Sequence, residues 1–224
     1  MILIAAVLLT SPQVGTPLRS VDTIRCSKVE KSLAHSPNTL FFGDSITQFW
    51  STQPSFYSSS TWVNKGAGGD TAQNGRWRLC RDVIDARPNI VHVMFGTNDI
   101  AENAGHSSVA QVLSYITQIV ETLRANQIKV VLGSVLPSSQ FPWNKELKPA
   151  TKIRALNLAL QSYAAKNCIP YADYWSSMST QTGALKPQFS KDGVHPNAQG
   201  YAVMQPIAQK AIMEVAGSCR IRHG

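Results

Sequence analysis

Short uninterrupted apolar runs alternate along the chain with segments whose apolar residues return every three or four positions. The runs at 90–95 and 128–136 are apolar almost throughout, as strands covered on both faces are. Shorter runs at 39–42, 62–64 and 169–174 bring the expected strands to five. Between them, Val109, Val112, Leu113, Ile116, Ile119, Val120 and Leu123 fall on one helical stripe, and Ile153, Leu156, Leu160 and Tyr163 on another. A helix capped by Asp70 or Thr71 should run to about Arg87, where Pro88 stops it; others are expected at 46–50 and 198–216. The 26–35 segment has modest helical character, broken by Ser36-Pro37-Asn38, and serine-rich 51–60 reads as a loop.

Strands alternating with helices of this length require a parallel sheet with right-handed crossovers. The expected fold class is therefore α/β: a three-layer α/β/α sandwich with a flavodoxin-like five-stranded parallel sheet in the order 2-1-3-4-5.

Composition narrows the picture further. With 224 residues, 43% of them hydrophobic and 15% charged, the chain builds one substantial core, not two. The net charge is +8 and the pI about 9.5, but the Lys and Arg residues are scattered and there is no zinc-finger or RNA-binding signature. A solvated basic surface is expected, with no nucleic-acid partner. Residues 1–9 form an apolar run too short to span a bilayer, so no stable membrane insertion is expected. The run is a candidate signal-peptide core within 1–16, which implies a secreted or periplasmic protein; a truncated gene model or an unusual buried strand are the alternatives. Cys26, Cys80, Cys168 and Cys219 suit one or two disulfides in an exported chain and lack the spacing of a zinc site, while free buried thiols are the competing account. Three complete pairings remain open.

The first strand stops at Gly43-Asp44-Ser45, which presents a hydroxyl at the carboxyl edge of the sheet, where open α/β sheets place their ligands. By itself this is an ordinary strand-to-helix junction with a capping serine. Later segments supply complementary parts. His195 in Asp192-Gly193-Val194-His195 is the candidate base for a Ser45 nucleophile, and Asp192, three residues upstream, is spaced to hold the other ring nitrogen. His92, inside a strand, reads as a hydrogen-bonded core residue; His106 is the one serious substitute for His195, and His35 and His223 are peripheral. The glycines of 66–69 allow main-chain N–H groups to approach a ligand, although the loop fits neither a P-loop nor a dinucleotide fingerprint. The Asn98 amide, just after the third strand, is a second donor.

Gly43-Asp44-Ser45, Gly69, Gly96-Thr97-Asn98-Asp99 and Asp192-Gly193-Val194-His195 resemble, in that order, the four blocks of the SGNH (GDSL) hydrolase superfamily. Asn64, Gly66, Gly68-Gly69-Asp70 and Trp77-Arg78-Leu79 further resemble the branch containing platelet-activating-factor acetylhydrolase catalytic subunits and secreted bacterial esterases. The resemblance spans about 39–216 and implies a single domain over 26–219. It implies that Ser45, Asp192 and His195 form the catalytic triad. The oxyanion hole would comprise the Ser45 N–H, the Gly69 N–H and the Asn98 side chain, with no metal or other cofactor. The Gly-x-Ser-x-Gly elbow of α/β-hydrolases is absent, since position 47 is Thr47.

The expected reaction is ester hydrolysis through an acyl-enzyme on a small-molecule or carbohydrate ester, by a monomer. A short acyl group, acetyl first, on a sugar or similar alcohol is the favoured substrate. Trp50, Trp62, Trp143 and Trp175 lie in or near connecting segments, and Asp44, Trp143 and Trp175 are the candidate substrate contacts. The alternatives are a lysophospholipase, broad carboxylesterase or thioesterase and, from another class, a non-catalytic carbohydrate-binding protein.

Overall fold

The computed structural model describes residues 22–26, 38–54, 56, 61–215 and 217. The candidate leader, nearly all of the helix expected at 26–35, most of 55–60, Cys219, His35 and His223 lie outside the described residues.

Five parallel strands form one sheet: β1 (Thr39–Gly43), β2 (Trp62–Gly66), β3 (Ile90–Met94), β4 (Lys129–Gly133) and β5 (Tyr171–Ala172), in the order β2-β1-β3-β4-β5. The α/β class and strand order expected from the hydrophobic pattern are those observed. The helices are α1 (Ser45–Trp50), α2 (Ala72–Leu79), α3 (Thr97–Ile100), α4 (Val109–Ala125), α5 (Ala150–Lys166), α6 (Tyr174–Met178) and α7 (Ala198–Glu214). No described helix is long and apolar enough to cross a membrane.

Side chains alternate across the sheet, so consecutive residues of β1 enter different cores. Leu40 and Phe42 join Val91, Val93, Ile116, Leu123, Leu156 and Leu160 under α2, α4 and α5. Phe41 joins Trp50, Tyr174, Tyr201 and Met204 under α1, α6 and α7. Each fully buried aromatic or aliphatic side chain contributes about 2 kcal/mol by leaving water. His92 lies in the second core, with Nε2 2.7 Å from the Tyr174 hydroxyl and its ring stacked on Phe41. Burial pushes its pKa down to about 3, so it is a neutral core residue. Trp50 and Trp62 are core residues as well, which removes them from the stock of aromatics available to a ligand.

Three elements depart from the hydrophobic pattern. The apolar run at 128–136 leaves the sheet after Gly133, because Asn157 takes over the backbone of Val135: its Oδ1 accepts the Val135 N–H at 2.8 Å and its Nδ2 donates to the Val135 carbonyl at 2.9 Å. A side-chain amide thus replaces the ladder while the segment stays buried. Strand β5 is two residues long because Asp173 caps α6, accepting from the Ser176 N–H at 3.0 Å. The helix expected to run to Arg87 widens into a π turn at Cys80–Ile84. Cys80 is bridged to Cys26, which selects one of the open pairings, and Cys168 is disulfide-bonded too.

Candidate active site

At the carboxyl edge of β1, Asp44 rather than Ser45 is the cap of α1: its Oδ1 accepts the Ile46 N–H at 2.9 Å, and Ser45 is the first helical residue. The glycine before it is demanded by crowding, for a Cβ on Gly43 would sit 2.1 Å from Thr47 Oγ1 and 2.5 Å from the Met94 carbonyl. Tyr201 secures α1 from the opposite side by donating its hydroxyl to the Ile46 carbonyl at 2.8 Å.

Ser45 Oγ lies 2.9 Å from His195 Nε2. On the other side of the ring, Nδ1 is 2.7 Å from Asp192 Oδ2. The three residues expected to act together are therefore brought together. Their loop is an Asx-type turn that also serves the site: Asp192 Oδ1 accepts the N–H groups of Val194 at 2.9 Å and His195 at 2.8 Å, and Ser190 Oγ lies 3.0 Å from the same oxygen. Gly193 adopts φ +78°, the left-handed conformation that turns the chain between Asp192 and His195. His106 is 71% exposed at its side chain and is bonded to Glu102 at 2.8 Å. It takes no part in this cluster.

The glycine loop after β2 is held from several directions. Gly66 packs so tightly on α1 that a Cβ would approach Gln48 N to 2.1 Å, and Asn64 ties β2 to α1 through the Thr47 carbonyl at 2.6 Å. Arg78 donates to Asp70 at 2.5 Å, to Asp82 at 3.1 Å and to the carbonyls of Lys65 at 2.8 Å and Gly43 at 2.9 Å. Its guanidinium also stacks over Phe42. Thr71 caps α2, and both carboxylate oxygens of Asp99 accept the Ala72 N–H. Gly69, at φ +79°, faces open space, and a Cβ on Gly68 would lie 3.0 Å from Gln48 Oε1 and 4.0 Å from Ser45 Cβ. Asn98 is 4% exposed and donates through Nδ2 to the Asp70 carbonyl at 3.0 Å, which leaves its second amide hydrogen free.

Two carboxyl groups near the histidine are held in opposite states. Partial burial alone would raise Asp192, but hydrogen bonds from the His195 ring and from the His195 and Val194 N–H groups outweigh it and hold the pKa at about 2. Asp44 is 1% exposed, and burial pushes it up to about 7 against the opposing pull of the Ile46 N–H. Asp99 is raised by burial to about 6. Asp192 is thus the carboxylate that remains charged beside the imidazole across the working pH range.

The expected substrate contacts divide. Trp143 is 47% exposed, with its ring centroid 6.3 Å from that of His195. Asp44 is buried and occupied as a helix cap, so it does not face a ligand. Trp175 is partly buried at a separate cavity of about 380 Å³, lined also by Arg154, Thr180 and Gly183. Phe49, which the hydrophobic pattern assigned only to a helix, is 44% exposed and meets His195 edge-on at 5.5 Å. Its one signal in the sequence is its place four residues after the serine, on the same face of the helix that the serine begins. Among the described residues, no group of three or more His, Cys, Asp or Glu side chains could hold a metal ion.

The five-stranded 2-1-3-4-5 sheet, with its serine at the end of the first strand, places this chain among the SGNH-type hydrolases. The model of the GDSL-like Lipase/Acylhydrolase family matches residues 41–203, and the chain belongs to that family. It is similar to a GDSL-like lipase from Bacteroides thetaiotaomicron, at 36% identity and a TM-score of 0.78, over 83% of this chain and 92% of that one. A solved chain from Bacteroides fragilis is 41% identical with the same TM-score, over 82% of this chain and 90% of its own. Human platelet-activating factor acetylhydrolase IB subunit alpha2 is 27% identical over 183 residues, which cover 80% of this chain and 77% of that protein.

Proposed function

We propose that this protein is a serine esterase that cleaves short-acyl, chiefly acetyl, esters of carbohydrates or similar alcohols through an acyl-enzyme. The observation that carries the reading is the line Asp192 Oδ2, His195 Nδ1, His195 Nε2, Ser45 Oγ, with contacts of 2.7 and 2.9 Å. Asp192 accepts the Nδ1 proton, which leaves Nε2 as the lone-pair nitrogen facing the serine. As Ser45 Oγ attacks the ester carbonyl, Nε2 takes its proton and then hands it to the departing alcohol oxygen. Water, deprotonated by the same nitrogen, releases the acid and restores the serine.

Negative charge on the carbonyl oxygen would be met by the N–H groups of Ser45 and Gly69 and by the spare Asn98 amide hydrogen. Donors held in place before the reaction need no reorganisation as charge develops. The bracing of the glycine loop by Arg78 and Asp99 supports that role for Gly69. For substrate choice, Phe49 and Trp143 offer two exposed aromatic rings whose centroids lie 5.5 and 6.3 Å from that of His195, which suits a sugar-like alcohol. The acetylhydrolase activity in the name of the mammalian relative supports the acetyl preference. The Cys26–Cys80 bond supports an oxidising compartment outside the cytoplasm.

The test is a fluorophosphonate probe together with a p-nitrophenyl ester series from acetate to palmitate, run beside acetylated xylan and a lysophospholipid. The expected result is labelling of Ser45 that is lost in His195→Ala, with turnover falling as the acyl chain lengthens. Absence of labelling would leave a binding protein, and a preference for palmitate or the lysophospholipid would replace the acetyl assignment.

A further inference from the structure

We propose that Asn103 is a positioning residue for the oxyanion site, which fixes the rotation of the Asn98 amide and joins it to the indole of Trp143. The inference rests on the esterase reading given above.

Three hydrogen bonds run in series. Trp143 Nε1 donates to Asn103 Oδ1 at 3.0 Å, Asn103 Nδ2 donates to Asn98 Oδ1 at 2.7 Å, and Asn98 Nδ2 donates to the Asp70 carbonyl at 3.0 Å. The direction of the chain is set by its ends. An indole N–H can only donate and a backbone carbonyl can only accept, so each amide between them has one workable orientation. Asn98 is consequently held with its NH₂ group toward the glycine loop, one hydrogen on Asp70 and the other left for an oxyanion. The Asn103 N–H also donates to the Asn98 carbonyl at 3.0 Å, so backbone and side chain of Asn103 grip the same residue.

Position distinguishes this from core packing. Asn98 is buried, whereas Asn103 and Trp143 are exposed, so the outer two links compete with water until something covers them. A substrate alcohol resting on Trp143 would exclude that water and strengthen the series. Contact made with the remote part of the substrate would then be expressed at the reacting carbonyl, in kcat rather than in KM.

The experiment compares wild type with Asn103→Ala, Asn103→Asp, Trp143→Phe, Asn98→Ala and the Asn98→Ala/Asn103→Ala double variant on p-nitrophenyl acetate. Asn103→Ala should lower kcat roughly tenfold with little change in KM, part of the hundredfold or so expected for loss of the Asn98 donor itself. Asn103→Asp keeps an acceptor for Trp143 but has no donor for Asn98, so it should fall as far as Asn103→Ala. Trp143→Phe keeps the ring without its N–H, and its smaller loss should appear in kcat. In the Asn98→Ala background, Asn103→Ala should cost nothing more, an outcome that a general structural role would not produce. An unchanged kcat in Asn103→Ala, an inert Asn98→Ala, or losses that multiply in the double variant would overturn the proposal. Ser45→Ala, run in parallel, separates the two levels. If it retains the wild-type rate, the esterase reading and this proposal both fail; if it is dead while Asn103→Ala is unimpaired, only this proposal fails.

Discussion

Ser45 Oγ and His195 Nε2 stand 2.9 Å apart although 150 residues separate them in the chain. The distance is set by two unrelated anchors. Asp44 caps the helix that begins with the serine, and Asp192 folds the 192–195 turn around its own carboxylate. Neither anchor depends on substrate, so the pair is assembled before binding.

Replacing Asp192 by Asn should uncouple that pair while leaving the fold intact. The amide can present its NH₂ group to Nδ1, which favours the tautomer with its hydrogen on Nε2, the wrong one for accepting the serine proton. A fall in kcat on the order of a thousandfold at neutral pH is expected, with KM little changed, from initial rates on p-nitrophenyl acetate. Because Asp192 sits at about 2, the acid limb of the wild-type pH profile should not trace to this carboxylate.

Asp44 predicts a pH dependence of stability with the opposite sign to that of an ordinary salt-bridged carboxylate. Its folded pKa of about 7 lies above the unfolded value near 3.8, so the folded state binds the extra proton between those limits. Stability should therefore fall as pH rises from about 4 to 7, by up to about 1.4 kcal/mol per pH unit for this group. Asp99, at about 6, adds in the same direction. Asp44→Asn keeps an acceptor for the Ile46 N–H and should flatten the slope measured by urea denaturation across that window; an unaltered slope would remove Asp44 as its source.

Arg78→Ala should be costly although the residue never meets Ser45. It strands Asp70 and takes the donor from the carbonyls of Lys65 and Gly43, while Asp82 keeps Arg81, and a loss of about 3 kcal/mol is expected in urea melts. Arg78→Lys should recover little of it, because one ammonium cannot reach Asp70, Asp82 and the carbonyls of Lys65 and Gly43 as a planar fork does.

Breaking the Cys26–Cys80 bridge, which spans 54 residues, should lower stability by roughly 4 kcal/mol through the freedom regained by the unfolded chain. The bridge docks 22–26, where the Ile24 N–H donates to Thr122 Oγ1 at 2.8 Å on α4. That attachment is on the face covered by α4 rather than at the carboxyl edge of the sheet. Cys26→Ser/Cys80→Ser should therefore shift Tm with kcat unchanged.

Helices α4 and α5 were legible because burial there follows the helical period, and strand β3 because it is a continuous apolar run buried on both faces. Residues 128–136 misled for a physical reason: apolar composition reports burial, and a buried backbone served by Asn157 is as dry as one in a ladder. The serine, histidine and aspartate were legible from spacing and resemblance, but Asp44 as cap, Phe49 as neighbour of the imidazole and the Trp143–Asn103–Asn98 series were not. Those depend on which side chains converge across loops far apart in the chain.

The amino-acid sequence by itself determined the alternation of strands and helices and the turn in which Asp192 grips its own histidine, since both follow from interactions between near neighbours, and that alternation in turn forces a parallel sheet. Tertiary structure alone decided the cysteine pairing, which carboxylate stays charged and which amide hydrogen is left free. Those outcomes rest on desolvation and on donors meeting acceptors across long loops, and neither exists until the chain has closed.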